Sequence, residues 1–316
     1  MQRESDMAEH DHLDRRGALK CMAWAGGGLL WTLAGGIPAS AALAAGERRG
    51  RAAGSGFSFV QISDSHIGFD RPANPDPAAT LRAAVARIRA LPSPPAFVLH
   101  TGDISHLSRE SEFDTAQAIL GELGVPVHYV PGEHDVQDDG TGAAYLRRFG
   151  AGTHGAGWYS FDAGGAHFVG LVNVVELAAG GLGHLGAAQL DWLRDDLAGR
   201  SSSTPIVIFA HMPLWSLYPE WGWGTDDSAA ALALLARFGS VTVLNGHIHQ
   251  VMQKVEGHVA FHTARSTAYP QPAPGTAAGP GPLAVPAERL RATLGIRSVR
   301  LVGRSGPLAI ADTDLA

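Results

Sequence analysis

The chain has one cysteine in 316 residues, Cys21, so no disulfide framework can hold the fold. Only 17% of residues are charged, and the formal net charge is -6. That balance excludes a non-specific nucleic-acid binder, which needs a basic face. Past the first 45 residues, no apolar run is long enough to span a bilayer. There is no Gly-rich phosphate cradle of the Walker type, no H-E-x-x-H and no G-x-S-x-G, which removes support for ATPase, zincin and serine hydrolase chemistry. Tyrosine is sparse at five residues, whereas histidine reaches 15, an excess that points to metal or acid–base work.

The N-terminus has the three parts of an address. Arg15 and Arg16 open it, a Gly-rich and weakly apolar stretch follows, and Ala39-Ser40-Ala41 and Ala42-Leu43-Ala44 both fit an A-x-A cleavage rule. The paired arginines resemble a twin-arginine export signal. That resemblance implies removal of residues 1–45, no membrane anchor afterwards, a dependence on the twin-arginine machinery, and a periplasmic or secreted product. Residues 46–56 then form a short linker. Cys21 falls in the removed segment. Substrates of that route cross folded, which suits a protein loaded with metal before export.

From Phe57 onward, short apolar runs alternate with helical spacing. "FSFVQIS", "AFVLHTG" and "VPVHYVPG" read as strands, separated by helical "AATLRAAVARIRAL" and "SEFDTAQAILGEL". This β-α-β-α-β order is that of helices crossing over a largely parallel sheet. "GWYSFDAGGAHFVGLVN" reads as a hairpin turning at Ala163-Gly164-Gly165. The spacing then predicts helix "AAQLDWLRDDLAG", strand "TPIVIFAH", helix "DDSAAALALLARF", strand "SVTVLNGH" and a second hairpin turning at Glu256-Gly257. Residues 266–286 form a Pro/Gly-rich loop, and 296–311 supply two more strands. No linker divides 57–265 from 266–316, so both belong to one α/β domain.

Five of these strands end in metal-capable side chains. They lead to Asp64 and His66, to Asp103, to Glu133, His134 and Asp135, to His211, and to His247 and His249. Ligand sites of open α/β sheets lie beyond the carboxyl ends of the strands. Mixed Asp and His donors suit Zn, Mn or Fe better than Mg or Ca. Seven of these nine as ligands exceed one tetrahedral ion and suit two ions sharing a bridging carboxylate, roughly 3.5–4 Å apart. Glycines before Asp103, Glu133 and His247 let the backbone turn sharply there.

In order and spacing, "DSH" (64–66), "GD" (102–103), "GEHD" (132–135), "AHMP" around His211 and "GHIH" (246–249) resemble the calcineurin-like metallophosphoesterase superfamily. The resemblance implies two facing mixed β-sheets flanked by helices, a four-layer αββα sandwich with metals at the strand C-termini. It implies that Asp64, His66 and His249 hold one metal, that Glu133, His211 and His247 hold the other, and that Asp103 bridges them. It further implies that His134 donates a proton to the leaving oxygen and that Asp135 orients His134. The implied reaction is hydrolysis of a small phosphate ester, a monoester or a diester such as a cyclic nucleotide, by hydroxide activated on the two ions.

The family expects Asn where this chain has Glu133. A carboxylate there removes one unit of positive charge from the site. A mixed Fe(III)/M(II) pair would restore it. Alternatively, Glu133 replaces Asn with no change of metal, or it swings away and leaves a catalytically weakened metal-binding envelope protein. For substrate contacts, the sequence offers His106, Trp215, Trp221 and Arg265. The aromatics after His211 either line a pocket or pack down to anchor a loop.

Overall fold

The computed structural model describes residues 56–138, 140–301 and 308–316, and the backbone of two N-terminal strands, β1 (Leu29–Ala34) and β2 (Ile37–Ala42), which pair antiparallel. Arg15, Arg16 and Cys21 of the expected export signal lie outside the described residues. Ser55–Ala316 form one compact unit, which includes the Pro/Gly-rich loop and the C-terminal strands. Among the described residues no helix is long and apolar enough to cross a membrane.

β3 (Ser58–Ile62), β4 (Val98–His100) and β5 (Val127–Tyr129) are parallel neighbours. Their crossovers carry α1 (Pro77–Arg89) and α2 (Glu110–Gly121). α1 starts where Asp76 accepts a hydrogen bond from the Ala79 amide and Pro77 fixes the first helical φ. Thr80, Leu81, Ala84, Val85 and Ile88 make its buried stripe. The short helix α3 (Ala143–Phe149) completes this layer. β12 (Gly295–Leu301) joins the free edge of β3 antiparallel, with Val299 opposite Phe59, and β13 (Leu308–Asp314) closes a five-stranded sheet.

The second sheet has six strands. β6 (Tyr159–Ala163) and β7 (Ala166–Gly170) form the expected hairpin, with Ala163 opposite Ala166, so Gly164-Gly165 alone make the turn. β8 (Ile206–Ala210), β9 (Val241–Asn245) and β11 (Val259–Thr263) continue in parallel, and β10 (Met252–Glu256) is the antiparallel edge. The second hairpin turns at Gly257-His258, one residue later than expected, because Glu256 pairs with Val259. α4 (Ala187–Leu197) and α5 (Ser228–Leu235) cover the outer face.

Alternation along β8 shows how the layers arise. Ile206, Ile208 and Ala210 join the core under α4 and α5, while Val207 and Phe209 face the other sheet. Between the sheets, Phe59 stacks on Phe97 at 5.2 Å and meets Phe168 edge-on at 5.2 Å. Each such fully buried aromatic contributes roughly 1.5–3 kcal/mol. Buried Arg297 of β12 ties the sheets together. It makes a bidentate pair with Asp312 at 2.8 and 3.0 Å and donates to the Thr263 carbonyl of β11 at 2.9 Å. The architecture is the expected αββα sandwich, and the ends of β3, β4, β5, β8 and β9 meet on one rim.

Candidate metal centre

Pairing persists past the ends of β3 and β4. The Asp64 amide donates to the Gly102 carbonyl and the His66 amide to the Asp103 carbonyl, both at 2.9 Å. These two connections are thereby held side by side. Six non-glycine residues among those described have positive φ, and five of them are Asp64, His66, Asp103, His247 and His249. Such conformations cost on the order of 1–3 kcal/mol each and concentrate where geometry serves chemistry.

The glycines that precede the ligands act mostly by their small size. Gly132 has an ordinary extended backbone, φ -100° and ψ 177°, but a Cβ there would collide with the Asp103 side chain and amide. A Cβ on Gly246 would collide with Ser63 and Asp64. Only Gly102, with φ +94°, also meets the expectation of a sharp turn.

All seven expected ligands converge. Asp64 Oδ1 is 3.3 Å from His249 Nε2, which is 3.2 Å from His66 Nε2. His211 Nε2 is 2.8 Å from Glu133 Oε2, and His247 Nδ1 is 2.9 Å from Glu133 Oε1. Asp103 Oδ2 lies between the groups, 3.4 Å from both His66 Nε2 and His211 Nε2. Glu133 therefore turns into the second group and does not swing away.

The donor set fits two cations. Asp64 Oδ2, Glu133 Oε2, His211 Nε2 and both ring nitrogens of His247 are buried without a hydrogen-bond partner among the described residues. The short His211–Glu133 and His247–Glu133 approaches have ion-pair distance but lack hydrogen-bond alignment. Lone pairs aimed at a common point produce that combination, and they are costly unless something positive sits there. Backbone carbonyls orient the rings: His211 Nδ1–H donates to the Thr101 carbonyl at 2.7 Å, and His249 Nδ1–H to that of Tyr269 at 2.6 Å. Each leaves Nε2 as the lone pair facing inward. Burial alone would raise the Glu133 carboxyl, but His247 and His211 hold it well below the ordinary range. Burial would depress His211, but Asp103 and Glu133 raise it well above its usual value.

The "GEHD" stretch forms a single 3₁₀ turn, Glu133–Asp135. His134 Nδ1–H donates to the His106 carbonyl at 2.8 Å, which leaves Nε2 as the ring's other nitrogen. Asp135 does not contact that imidazole, contrary to expectation. Its buried carboxylate accepts from the Gly132, Ile104 and Ser105 amides at 2.8–3.0 Å and from the Ser105 hydroxyl at 2.8 Å. It thus binds the turn to the connection after β4 and positions His134 through the backbone. Burial first, then Asp103, pushes its carboxyl up to about 6, against the pull of those amides.

A cavity of about 380 Å³ opens over the cluster, and His134, His106 and Glu133 are in its wall. The other substrate contacts expected from sequence lie elsewhere. Trp215, 7% exposed, packs on Phe261 at 5.2 Å in the helix–sheet core, because the chain turns inward after His211. Trp221 stands edge-on to Trp223 at 5.1 Å, and Trp223 itself reaches the cavity. Arg265 donates to the Ala292 carbonyl at 3.2 Å and is outside the lining. The wall instead contains Phe69, Arg71, Tyr269 and Gln271. The signal for Phe69 and Arg71 was proximity to "DSH"; nothing local marks Tyr269, which stacks on His66 at 4.8 Å. His100 is a buried partner of the Ser65 hydroxyl at 2.8 Å, and burial draws its pKa down to about 3.

A two-sheet sandwich with paired His/Asp/Glu clusters at its strand ends defines a dinuclear metal-dependent hydrolase fold. Residues 57–251 match the model of the calcineurin-like phosphoesterases, and the chain belongs to that family. It is 29% identical over 225 residues to a probable cyclic nucleotide phosphodiesterase of Rhodopseudomonas palustris, covering 67% of this chain and 78% of that one. A 3',5'-cyclic-nucleotide phosphodiesterase of Nostoc is 26% identical over 222 residues, covering 67% and 79%. Among solved structures, a dimetal phosphatase from Danio rerio superposes with a TM-score of 0.59 at 18% identity, covering 82% of this chain and 96% of that one.

Proposed function

We propose that the protein hydrolyses phosphodiesters, cyclic-nucleotide-like diesters among them, in preference to monoesters. The observation that carries this reading is the Glu133 carboxylate turned into the second donor group, 2.8 Å from His211 Nε2 and 2.9 Å from His247 Nδ1. Two divalent ions held by three carboxylates leave one formal positive charge less than they would beside a neutral amide. A monoester dianion loses more from that change than a diester monoanion does. Among the described residues Arg71 is the one Lys or Arg in the cavity wall, so little other positive charge there awaits a dianion. The cyclic nucleotide phosphodiesterases among the relatives support the same choice.

In this reading Asp64, His66 and His249 would hold one ion, Glu133, His211 and His247 would hold the other, and Asp103 would serve both. Bound cations supply a water of depressed pKa and offset charge on the phosphoryl oxygens. The left-handed backbone of Asp64, His66, Asp103, His247 and His249 fixes the donor directions before substrate arrives. His134, tied through Nδ1–H to the His106 carbonyl, gives a proton from Nε2 to the departing alkoxide. Phe69 and Tyr269, 4.4 Å apart, and Trp223 supply flat apolar surface for the ester groups.

Both ions are divalent in this reading, because an Fe(III)/M(II) pair would restore the charge that Glu133 removes. Assays with bis-p-nitrophenyl phosphate and p-nitrophenyl phosphate in Mn, Zn and Fe should give the higher kcat/KM with the diester. Glu133→Asn should narrow that ratio by about tenfold, with divalent ions in both proteins on elemental analysis. A wild-type preference for the monoester would defeat the diester reading. Fe(III) in the wild-type pair would defeat the all-divalent assignment.

A further inference from the structure

His66 has both ring nitrogens committed. Its Nε2 lies in the first donor group, 3.4 Å from Asp103 Oδ2 and 3.2 Å from His249 Nε2. A nitrogen that ligates a cation offers a lone pair, so the His66 proton resides on Nδ1. Among the described residues, the partner of that nitrogen is another imidazole: His106 Nδ1, 3.4 Å away. Two nitrogens that face each other share one proton. His106 must therefore accept at Nδ1, and as a neutral imidazole it carries its own proton on Nε2.

His106 is held in one orientation. Its ring is stacked on His134 with centroids 4.7 Å apart and planes 16° apart, and it meets Phe69 edge-on at 5.2 Å. It lines the same cavity as His134, Glu133 and Asp103. The two stacked rings thus have different tasks. His134 has spent its Nδ1–H on the His106 carbonyl, so Nε2 is the atom that carries the proton it delivers. His106 has spent its Nδ1 lone pair on His66, so its Nε2–H donates.

We propose that His106 contacts the substrate as a fixed hydrogen-bond donor to a phosphoryl oxygen, with its tautomer set by ligand His66. The ligand class is a phosphate-ester anion, and the assignment rests on the phosphoesterase reading above. The sequence context is the "GDISH" run, where His106 stands three residues after Asp103. No covalent step is required of it. It stabilises charge on an oxygen that becomes more negative during phosphoryl transfer.

The test separates tautomer from turnover. In the zinc-loaded protein, ¹⁵N imidazole NMR, assigned by comparison with His106→Asn, should show His106 protonated at Nε2 and unprotonated at Nδ1. An Nδ1–H signal for His106 would overturn the proposal whatever the enzyme does. His106→Asn keeps an acceptor beside His66 and has no N–H at the reach of Nε2. It should retain wild-type zinc content and lose about 100-fold in kcat/KM on bis-p-nitrophenyl phosphate. His106→Gln returns an N–H near the Nε2 position and loses the acceptor. It should recover much of that rate at saturating zinc and bind zinc about tenfold more weakly. Wild-type kcat/KM in His106→Asn would also overturn the proposal. A wild-type protein inert toward phosphate esters would instead refute the phosphoesterase reading, and the NMR result would still decide the tautomer.

Discussion

Replacing Asp103 by Asn should leave a folded protein with phosphodiester hydrolysis lowered on the order of 10³-fold or more, retaining at most one metal ion per chain. The reason is the way its two oxygens are used. Oδ1 accepts from the His134 amide at 2.9 Å, and Oδ2 stands 3.4 Å from both His66 Nε2 and His211 Nε2. An Asn that keeps the first bond must place its NH₂ at the shared point. There it offers protons where two imidazole lone pairs already converge, and it cannot bridge cations. The loss of Lewis-acid stabilisation is worth several kcal/mol, and each 1.36 kcal/mol is a factor of ten in rate. Elemental analysis, turnover of bis-p-nitrophenyl phosphate and a thermal melt check the three parts separately. A variant with two ions and more than a tenth of wild-type activity would remove Asp103 from its bridging role.

Asp135→Ala should destabilise the fold by roughly 3–5 kcal/mol, an effect read from chemical denaturation midpoints. Asp135 is fully buried, and its carboxylate receives three backbone amides and one hydroxyl from two segments of chain. Alanine would strand the amides of Gly132, Ile104 and Ser105 away from water, each at about 1–3 kcal/mol before relaxation. Asp135→Asn should cost less, because one oxygen still serves Ser105 while the amide group opposes the remaining donors. The loss should appear with and without metal, since none of these bonds involves a ligand side chain. A midpoint for Asp135→Ala within experimental error of wild type would show that the turn does not depend on this carboxylate.

Much of the architecture is legible in short-range pattern. β8 and β9 are buried on both faces and read as unbroken apolar runs, while α1 repeats its apolar stripe and carries Asp76-Pro77 at its start. The strand ends are legible for the same reason: each apolar run stops at a Gly, Asp or His that the interior does not admit unpaired. The position of β12 beside β3 is a different matter. Val299 and Phe59 are paired across the length of the domain, and nothing local in either strand specifies that partner.

Side-chain destinations were the less legible part of the site. Asp135 follows His134 in sequence, yet a 3₁₀ turn sends the two side chains to different partners. Arg265 is a free cation in sequence, but the Ala292 carbonyl takes it. Trp215 and Trp223 stand in the same aromatic run, and whether each faces core or cavity depends on the turns between them. Tyr269 reaches His66 only because the Pro/Gly-rich loop folds back across the rim. Patterning specifies which residues can do chemistry, while loop packing decides which ones meet the substrate.

The left-handed backbone at five ligand positions also sets where this centre has latitude to diverge. Asp and His tolerate that conformation better than most side chains, and long or β-branched alternatives do not. Positions 64, 66, 103, 247 and 249 are therefore restricted twice, by the cation and by the main chain. Glu133 is outside that group, sitting in an ordinary 3₁₀ turn where an extra methylene and a charge meet no conformational objection. At Glu133 the backbone leaves chemistry as the chief constraint on the side chain.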